Sequence, residues 1–209
     1  MAHVPVTERR PQLIRAAIDL MTREGVAAAS TRAIAAELGV AQATVHYTFG
    51  NKEELYHAVM QQLTEQLVAQ VEQAAPRDTD FNRALGTLAA ALWQTVREQP
   101  TSHQLLSELT MYALRTPRLG TVVQDHQTGV LAVTSRLIEE AAARADRQLA
   151  QPADTIARFF HAGFDGLTVQ HLVHPDDAAE ASCLEALVAA TAALAAGELT
   201  VPAGSTPTP

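Results

Sequence analysis

The chain has 209 residues and a mass of 22.3 kDa, enough for a sizeable core in one or two domains. It is 47% apolar, 18% charged and 4% aromatic, with a visible excess of alanine, which excludes a disordered chain and favours a helical one. A formal net charge of −8 excludes a surface that is basic throughout, and a single cysteine, Cys183, excludes an internal disulfide and a Cys/His zinc cluster.

Proline and glycine cut the chain into helix-sized pieces, because a proline in a helix interior costs roughly 3 kcal/mol. A first helix is predicted over 11–24, with Leu13, Ile14, Ala17, Ile18 and Met21 on one stripe and Pro11 in the first turn. Two short helices follow, Thr31–Leu38 and Gln42–Thr48, joined at Gly39-Val40-Ala41. Helices of two turns do not persist alone in water, so both must pack on segment 11–24. Ala35 is small where two helices approach, Gly39 can take the positive φ of a sharp turn, and Val45 can pack back beneath the first short helix. That is the spacing of a helix-turn-helix, whose second helix enters the major groove of DNA. Segment 52–74 opens on Asn51 as a helix cap with Glu54 three residues on. Segments 80–99, 101–115, 118–147, 153–174 and 177–196 complete an all-α fold of about nine helices, since no stretch alternates with period two. The tail over 198–209 is rich in Pro, Ser, Thr and Gly, and disorder is expected there.

Charge is not spread evenly. Residues 1–55 carry six basic and six acidic side chains, so the whole acidic excess falls after residue 55. Such a step is consistent with a nucleic-acid module in the neutral part, and equally with an acidic surface that aids solubility.

The first quarter of the chain resembles the TetR family of one-component transcriptional regulators. Ala16-Ala17, Gly25, Thr31, Ile34-Ala35, Leu38-Gly39-Val40, Ala43-Thr44-Val45, Tyr47, Phe49, Lys52 and Glu54-Leu55 stand in the family's order and spacing. The remaining three quarters are similar to it in length and helical character. The resemblance implies a three-helix DNA-binding domain over 1–55, linked through helix 52–74 to a ligand-binding and dimerisation domain over 56–197. One departure is His46, where the family often has Tyr. The phosphate contact of that Tyr passes to His46, passes to Tyr47, or is lost.

Within that frame each residue has a role and an alternative. Lys52 is the sole lysine and sits in the first turn of 52–74, where free N–H groups help it hold a phosphate; the alternative is a solvated side chain. Thr31 can cap the first short helix and donate to phosphate. Arg32 can reach the DNA backbone or stay in solvent. Gln42, Ala43 and Thr44 open the recognition helix, within reach of base edges. His46 and Tyr47 present polar tips, although Tyr47 can also be a core aromatic. Arg9 and Arg10 precede the first helix as an arm that either touches DNA or is solvated.

For the second part, Trp93, Met111, Tyr112, Phe159, Phe160 and Phe164 can line a cavity, with His103, Gln104, Gln124, His126 and His171 as polar anchors. Few of these carry charge, which favours an apolar or aromatic effector. The dimer seam is expected on the last two helices, through Phe159, Gly163, Leu167, Leu184, Leu187, Val188 and Thr191, two helices from each subunit making a four-helix bundle.

The chain is therefore expected to be a regulator, most simply a repressor, with palindromic double-stranded operator DNA, a small-molecule effector and a second copy of itself as partners. No cofactor, metal or catalytic residue is expected. His161 with Asp165, and His171 with His174, have the spacing of metal ligands on a helix face. Without HExxH or a repeated ExxH, a helical-bundle metalloenzyme is the weaker alternative. A scaffold that binds no DNA is the third. No apolar run reaches the length needed to span a bilayer, and MAHVPVTERRPQ has no apolar signal core. No membrane partner is expected, and the expected compartment is the cytoplasm.

Overall fold

The computed structural model describes residues 6–74 and 80–199. Among these lie nine α-helices: α1 (Val6–Glu24), α2 (Thr31–Glu37), α3 (Gln42–Phe49), α4 (Lys52–Gln73), α5 (Phe81–Glu98), α6 (Pro100–Leu114), α7 (Gly120–Arg144), α8 (Ala153–Val173) and α9 (Asp177–Ala196). Short 3-10 turns occupy Val26–Ala28 and Pro117–Leu119. No strand occurs among the described residues, as the absence of period-two alternation implied.

Packing divides the chain into two compact units, one of residues up to 69 with 95–129, the other of 70–94 with 130 onwards. The division by role expected at residue 55 is a different one: the helices expected to read DNA are only a part of the first unit. In that unit α1 presents Leu13, Ala17, Leu20 and Met21 to Ile34 and Ala35 of α2, Val45 and Phe49 of α3, and Leu55 and Val59 of α4, all buried. The short helices exist because this shared core supplies what their few hydrogen bonds cannot. Gly39, at φ +62°, makes the turn between them, where a side chain would be strained. Leu105 and Leu109 of α6 close the same core.

In the second unit Phe81, Ala84 and Leu85 of α5 meet Leu131 and Ile138 of α7, Ile156 and Ala157 of α8, and Leu194 and Ala195 of α9. Burying a side chain such as Ile156 contributes about 1.5–3 kcal/mol. Helices α8 and α9 lie close together, and a Cβ added at Gly163 would come within 2.5 Å of Leu187 Cδ1. Gly163 is therefore what admits Leu187 to the α8 surface.

Several expectations are corrected. Helix α1 begins at Val6, so Pro11 lies inside it and Arg9 and Arg10 are helical instead of preceding the helix. Arg9 bonds Gln12 Oε1 at 3.0 Å and the Arg10 guanidinium lies 5.0 Å from the centre of the Phe49 ring. Pro11 is the sixth residue of α1 and so forfeits one backbone bond to the carbonyl four residues back, a local loss set against the burial of Leu13, Ile14 and Ala17 by the same helix. The cap of α2 is Ser30, whose Oγ accepts Ala33 N–H at 3.1 Å, and Thr31 is the first helical residue. Asn51 does cap α4, accepting Glu54 N–H at 2.7 Å. Helix α9 is long and apolar enough to cross a membrane by length and composition. Its apolarity is spread over alanines instead of a run of large side chains, which hid it from inspection for such a run. The tail over 200–209, where disorder is expected, lies outside the described residues.

Candidate nucleic-acid interface and effector cluster

Helix α3 divides its residues cleanly. Val45 and Phe49, four apart, are buried against α1 and α2. Gln42, Ala43, His46 and Tyr47 face outward, and Tyr47 is 80% exposed. Thr44 is half-buried, and Arg32 on α2 is exposed. Gln42 ties the two short helices together: its Nε2 donates to Thr31 Oγ at 3.1 Å and lies 3.4 Å from His46 Nε2. The outward face of α3 holds no acid, and the nearby Glu37 of α2 is neutralised by Arg23 at 3.0 Å. Hydrogen bonding to Glu37 raises the Arg23 pKa further. The exposed row is thus polar, uncharged or basic, as a surface meeting phosphate requires.

Lys52 is half-buried. Its Nζ stands 4.9 Å from the centre of the Tyr56 ring, 5.6 Å from that of Tyr112, and 3.5 Å from Tyr112 Oη. Burial pulls its pKa down, but hydrogen bonding and charge from Tyr56 and Tyr112 outweigh it, and the net shift is upward. Lys52 stays charged between two ring faces. Tyr56 Oη donates to Val26 O at 3.1 Å, and the two tyrosine rings meet edge to face at 5.9 Å. Glu108 of α6 accepts Val26 N–H at 2.8 Å. Nothing local in the sequence announces these links, which join residues far apart in the chain.

Of the residues expected to line a cavity, Trp93, Phe160, Phe164 and His171 come together in the second unit. Trp93 meets Phe164 at 5.8 Å and His171 at 5.5 Å, both edge to face, and Phe160 stacks on Phe164 at 5.6 Å. Phe159 belongs to the same unit but is exposed, and the others lie in the first unit. His103 is buried with Nε2 2.9 Å from Thr95 Oγ, and burial lowers its pKa to about 4. His126, 3.2 Å from Thr64 Oγ, is lowered by burial and by His57. Tyr112 is engaged with Lys52, while Met111, Gln104 and Gln124 are exposed.

Two residues of the second unit were not foreseen. Glu180 is buried at 4% exposure, with both carboxylate oxygens within 3.0–3.1 Å of His171 Nδ1. Thr168 is buried, and its hydroxyl has no hydrogen-bond partner. Glu180 had a faint signal, an acid at the start of an otherwise apolar helix; Thr168 had none. His161, one of the spaced histidines, is turned to Thr134 Oγ at 2.7 Å. Among the described residues no three His, Cys, Asp or Glu side chains are placed to hold a metal ion.

The residues expected at a dimer seam are divided. Leu167 and Thr191 are buried within the chain, and Leu184, Leu187 and Val188 are half-buried. Gly163 is engaged with Leu187 of the same chain. Phe159 is exposed on α8, as are Val169 and Val173.

Comparison with known proteins agrees with this architecture. Residues 13–59 match the family described as bacterial regulatory proteins, tetR family, and residues 83–196 match the BetI-type transcriptional repressor C-terminal family. The chain is 30% identical over 178 residues to the HTH-type nicotine-responsive transcriptional repressor HdnoR of Paenarthrobacter nicotinovorans, covering 83% of this chain and 89% of that one. It is 32% identical over 105 residues to the HTH-type transcriptional activator FasR of Mycolicibacterium smegmatis, covering 50% and 48%. The solved structure of the multidrug binding protein EbrR complexed with ethidium has a TM-score of 0.66 at 30% identity, covering 87% of this chain and 97% of that one.

Proposed function

This chain belongs to the tetR family of bacterial regulatory proteins, and from that membership and the exposed face of α3 we infer that it is a repressor released from a palindromic operator by an aromatic small molecule. That it is a ligand-responsive DNA-binding regulator follows from its family and its relatives. The finer reading concerns how it binds, what releases it and in which direction it acts.

The observation that carries the reading is the division of α3. A helix that buries Val45 and Phe49 while holding Gln42, His46 and Tyr47 outward has no use for the outward row in its own core. Inserted in a major groove, Gln42 can pair with adenine, Ala43 and the Thr44 methyl can touch thymine methyls, and Tyr47, His46, Arg32 and Lys52 can meet phosphates. One such unit reads few base pairs. A homodimer presents two of them to half-sites about 34 Å apart or a multiple of that. The exposed Phe159, Val169 and Val173 of α8 are suited to the contact between copies.

Release requires an effector that binds the non-operator state better than the operator-bound one. The aromatic cluster of Trp93, Phe160, Phe164 and His171 is the surface proposed to take it, and nicotine and ethidium, to which the relatives' names refer, are aromatic nitrogen compounds. We place the protein in the cytoplasm, where its operator lies.

The test is binding of the purified protein to the DNA upstream of its own gene, followed by transcription from that DNA with and without the protein. Salt-sensitive binding and higher transcription without the protein support the reading. Lower transcription without it makes the protein an activator, and salt-insensitive or absent binding removes the operator.

A further inference from the structure

We propose that Thr168, Trp93 and His171 form a recognition site for an aromatic cation bearing N–H groups, an amino-substituted heterocycle for example, with Glu180 as its counter-charge. This deepens the effector reading above and rests on it.

Thr168 is the starting point. Thr48, Thr64, Thr87, Thr110, Thr134 and Thr191 each donate to the carbonyl four residues back at 2.7–3.0 Å. Thr168 does not, although it lies within α8 and is 5% exposed, and its hydroxyl has no partner. A buried hydroxyl left unpaired is destabilising, and the local remedy used by its counterparts was not taken. The hydroxyl is instead held free to bond something absent from the chain.

Its surroundings say what. Phe164, Thr168 and His171 follow at spacings of four and three on one face of α8. Trp93 meets the side chains at both ends of that row, so the indole spans the turn that carries Thr168. The site therefore has aromatic walls and a hydroxyl between them. A carboxylate can only accept, so His171 Nδ1 carries the proton shared with Glu180, and an unprotonated imidazole leaves Nε2 as an acceptor. The other bond of Glu180 comes from the Asp176 backbone N–H at 3.0 Å, and among the described residues no Arg or Lys pairs with it. Wherever the imidazole is unprotonated, the pair carries one net negative charge in a buried place.

An anion is repelled there, and a hydrocarbon leaves Thr168 unpaired. A planar cation with N–H groups satisfies every part: its ring lies against Trp93, its N–H groups reach Thr168 Oγ and His171 Nε2, and its charge answers Glu180.

Trp93 is the sole tryptophan, so its emission reports on the site directly. The experiment titrates the purified protein at pH 8 with ethidium, and separately with phenanthridine, its uncharged parent ring, without DNA. Ethidium is expected to quench Trp93 saturably, and phenanthridine to bind at least about tenfold more weakly. Thr168→Val and Glu180→Gln are each expected to weaken ethidium by about tenfold. Thr168→Val should fold at least as stably as the parent by thermal melting, since it removes an unpaired hydroxyl, and it decides the matter should Glu180→Gln not fold. No quenching by ethidium, equal binding of phenanthridine, or wild-type affinity in Thr168→Val overturns the site. Operator binding is measured apart, with no dye present. Wild-type protein that ignores the upstream DNA defeats the regulator reading, whereas intact DNA binding with an indifferent Thr168→Val defeats this site alone.

Discussion

The Glu108 carboxylate of α6 accepts the backbone N–H of Val26 at 2.8 Å, across 82 positions of sequence. Val26 opens the 3-10 turn between α1 and α2, and its carbonyl accepts from Tyr56 Oη. Both polar groups of one backbone residue, at the entrance to the DNA-reading helices, are thus held by side chains of α4 and α6. Removing the carboxylate leaves an N–H beside a buried valine without its acceptor. Glu108→Ala is expected to lower stability by about 1–2 kcal/mol and to weaken operator binding, whereas Glu108→Gln, which keeps an acceptor oxygen, retains most of both. Urea unfolding and fluorescence anisotropy with labelled upstream DNA measure the two effects. Operator affinity unchanged in Glu108→Ala would remove the link between α6 and DNA reading.

The two faces of α3 separate stability from recognition. Tyr47 is exposed and lies outside the buried core, so Tyr47→Ala should leave the free energy of urea unfolding within about 0.5 kcal/mol of the parent while reducing DNA affinity. Val45, two residues earlier and so about half a turn round the helix, is buried among α1 and α2, and Val45→Ala should cost about 1–3 kcal/mol. An outcome in which Tyr47→Ala unfolds the protein, or binds operator like the parent, contradicts the assignment of faces.

How much of this was legible beforehand depended on the range of the interaction. The helix-turn-helix showed itself because its signals are local: two helices too short to stand alone, Gly39 at the turn, Val45 in the register of the core. The start of α1 lies five residues before Pro11 because the burial of Leu13, Ile14 and Ala17 outweighs the one backbone bond that the proline forfeits, a tertiary effect that local proline chemistry does not register. The Glu108–Val26 bond had no signal, since a side chain reaching a backbone N–H 82 positions away leaves no spacing to recognise. Thr168 was invisible for another reason. Nothing in its spacing distinguishes it from the threonines that bond back to their own helix.

Lys52 offers a test of the phosphate contact that ordinary affinity loss does not. Its ammonium rests between Tyr56 and Tyr112, 3.5 Å from Tyr112 Oη, and remains charged. A phosphate contact by this group releases a counterion, so Lys52→Met should reduce the dependence of operator affinity on salt by about one ion per subunit. A variant with weaker binding and an unaltered salt slope assigns Lys52 to packing against the tyrosines.

His103 makes stability depend on pH. Burial lowers its pKa from 6.5 to about 4, so the unfolded chain takes up a proton that the folded chain refuses. The sign follows: the contribution is fully present above the unfolded value and is lost as pH falls from 6.5 towards 4. It amounts to about 3 kcal/mol in full, of which about 2 kcal/mol is gone at pH 5. Urea unfolding at pH 7.5 and pH 5 should show this loss in the parent and a smaller one in His103→Gln. Equal losses in both proteins would mean that His103 takes up its proton in the folded state.

The exposed apolar side chains of α8 bear on assembly. Phe159, Val169 and Val173 are 40%, 52% and 80% exposed, while Gly163 and Leu187 are already engaged with each other within the chain. A contact between copies through this face would bury the exposed side chains, and a carboxylate there would be desolvated without a partner. Phe159→Asp combined with Val169→Asp is therefore expected to shift the protein from dimer to monomer in sedimentation experiments. Because both positions are solvent-facing in the single chain, the helical circular dichroism of the subunit should persist. Operator affinity should fall steeply, since one reading unit then acts alone. A variant that remains dimeric would place the interface elsewhere on the molecule, and a monomer that binds operator as tightly as the parent would detach DNA recognition from pairing.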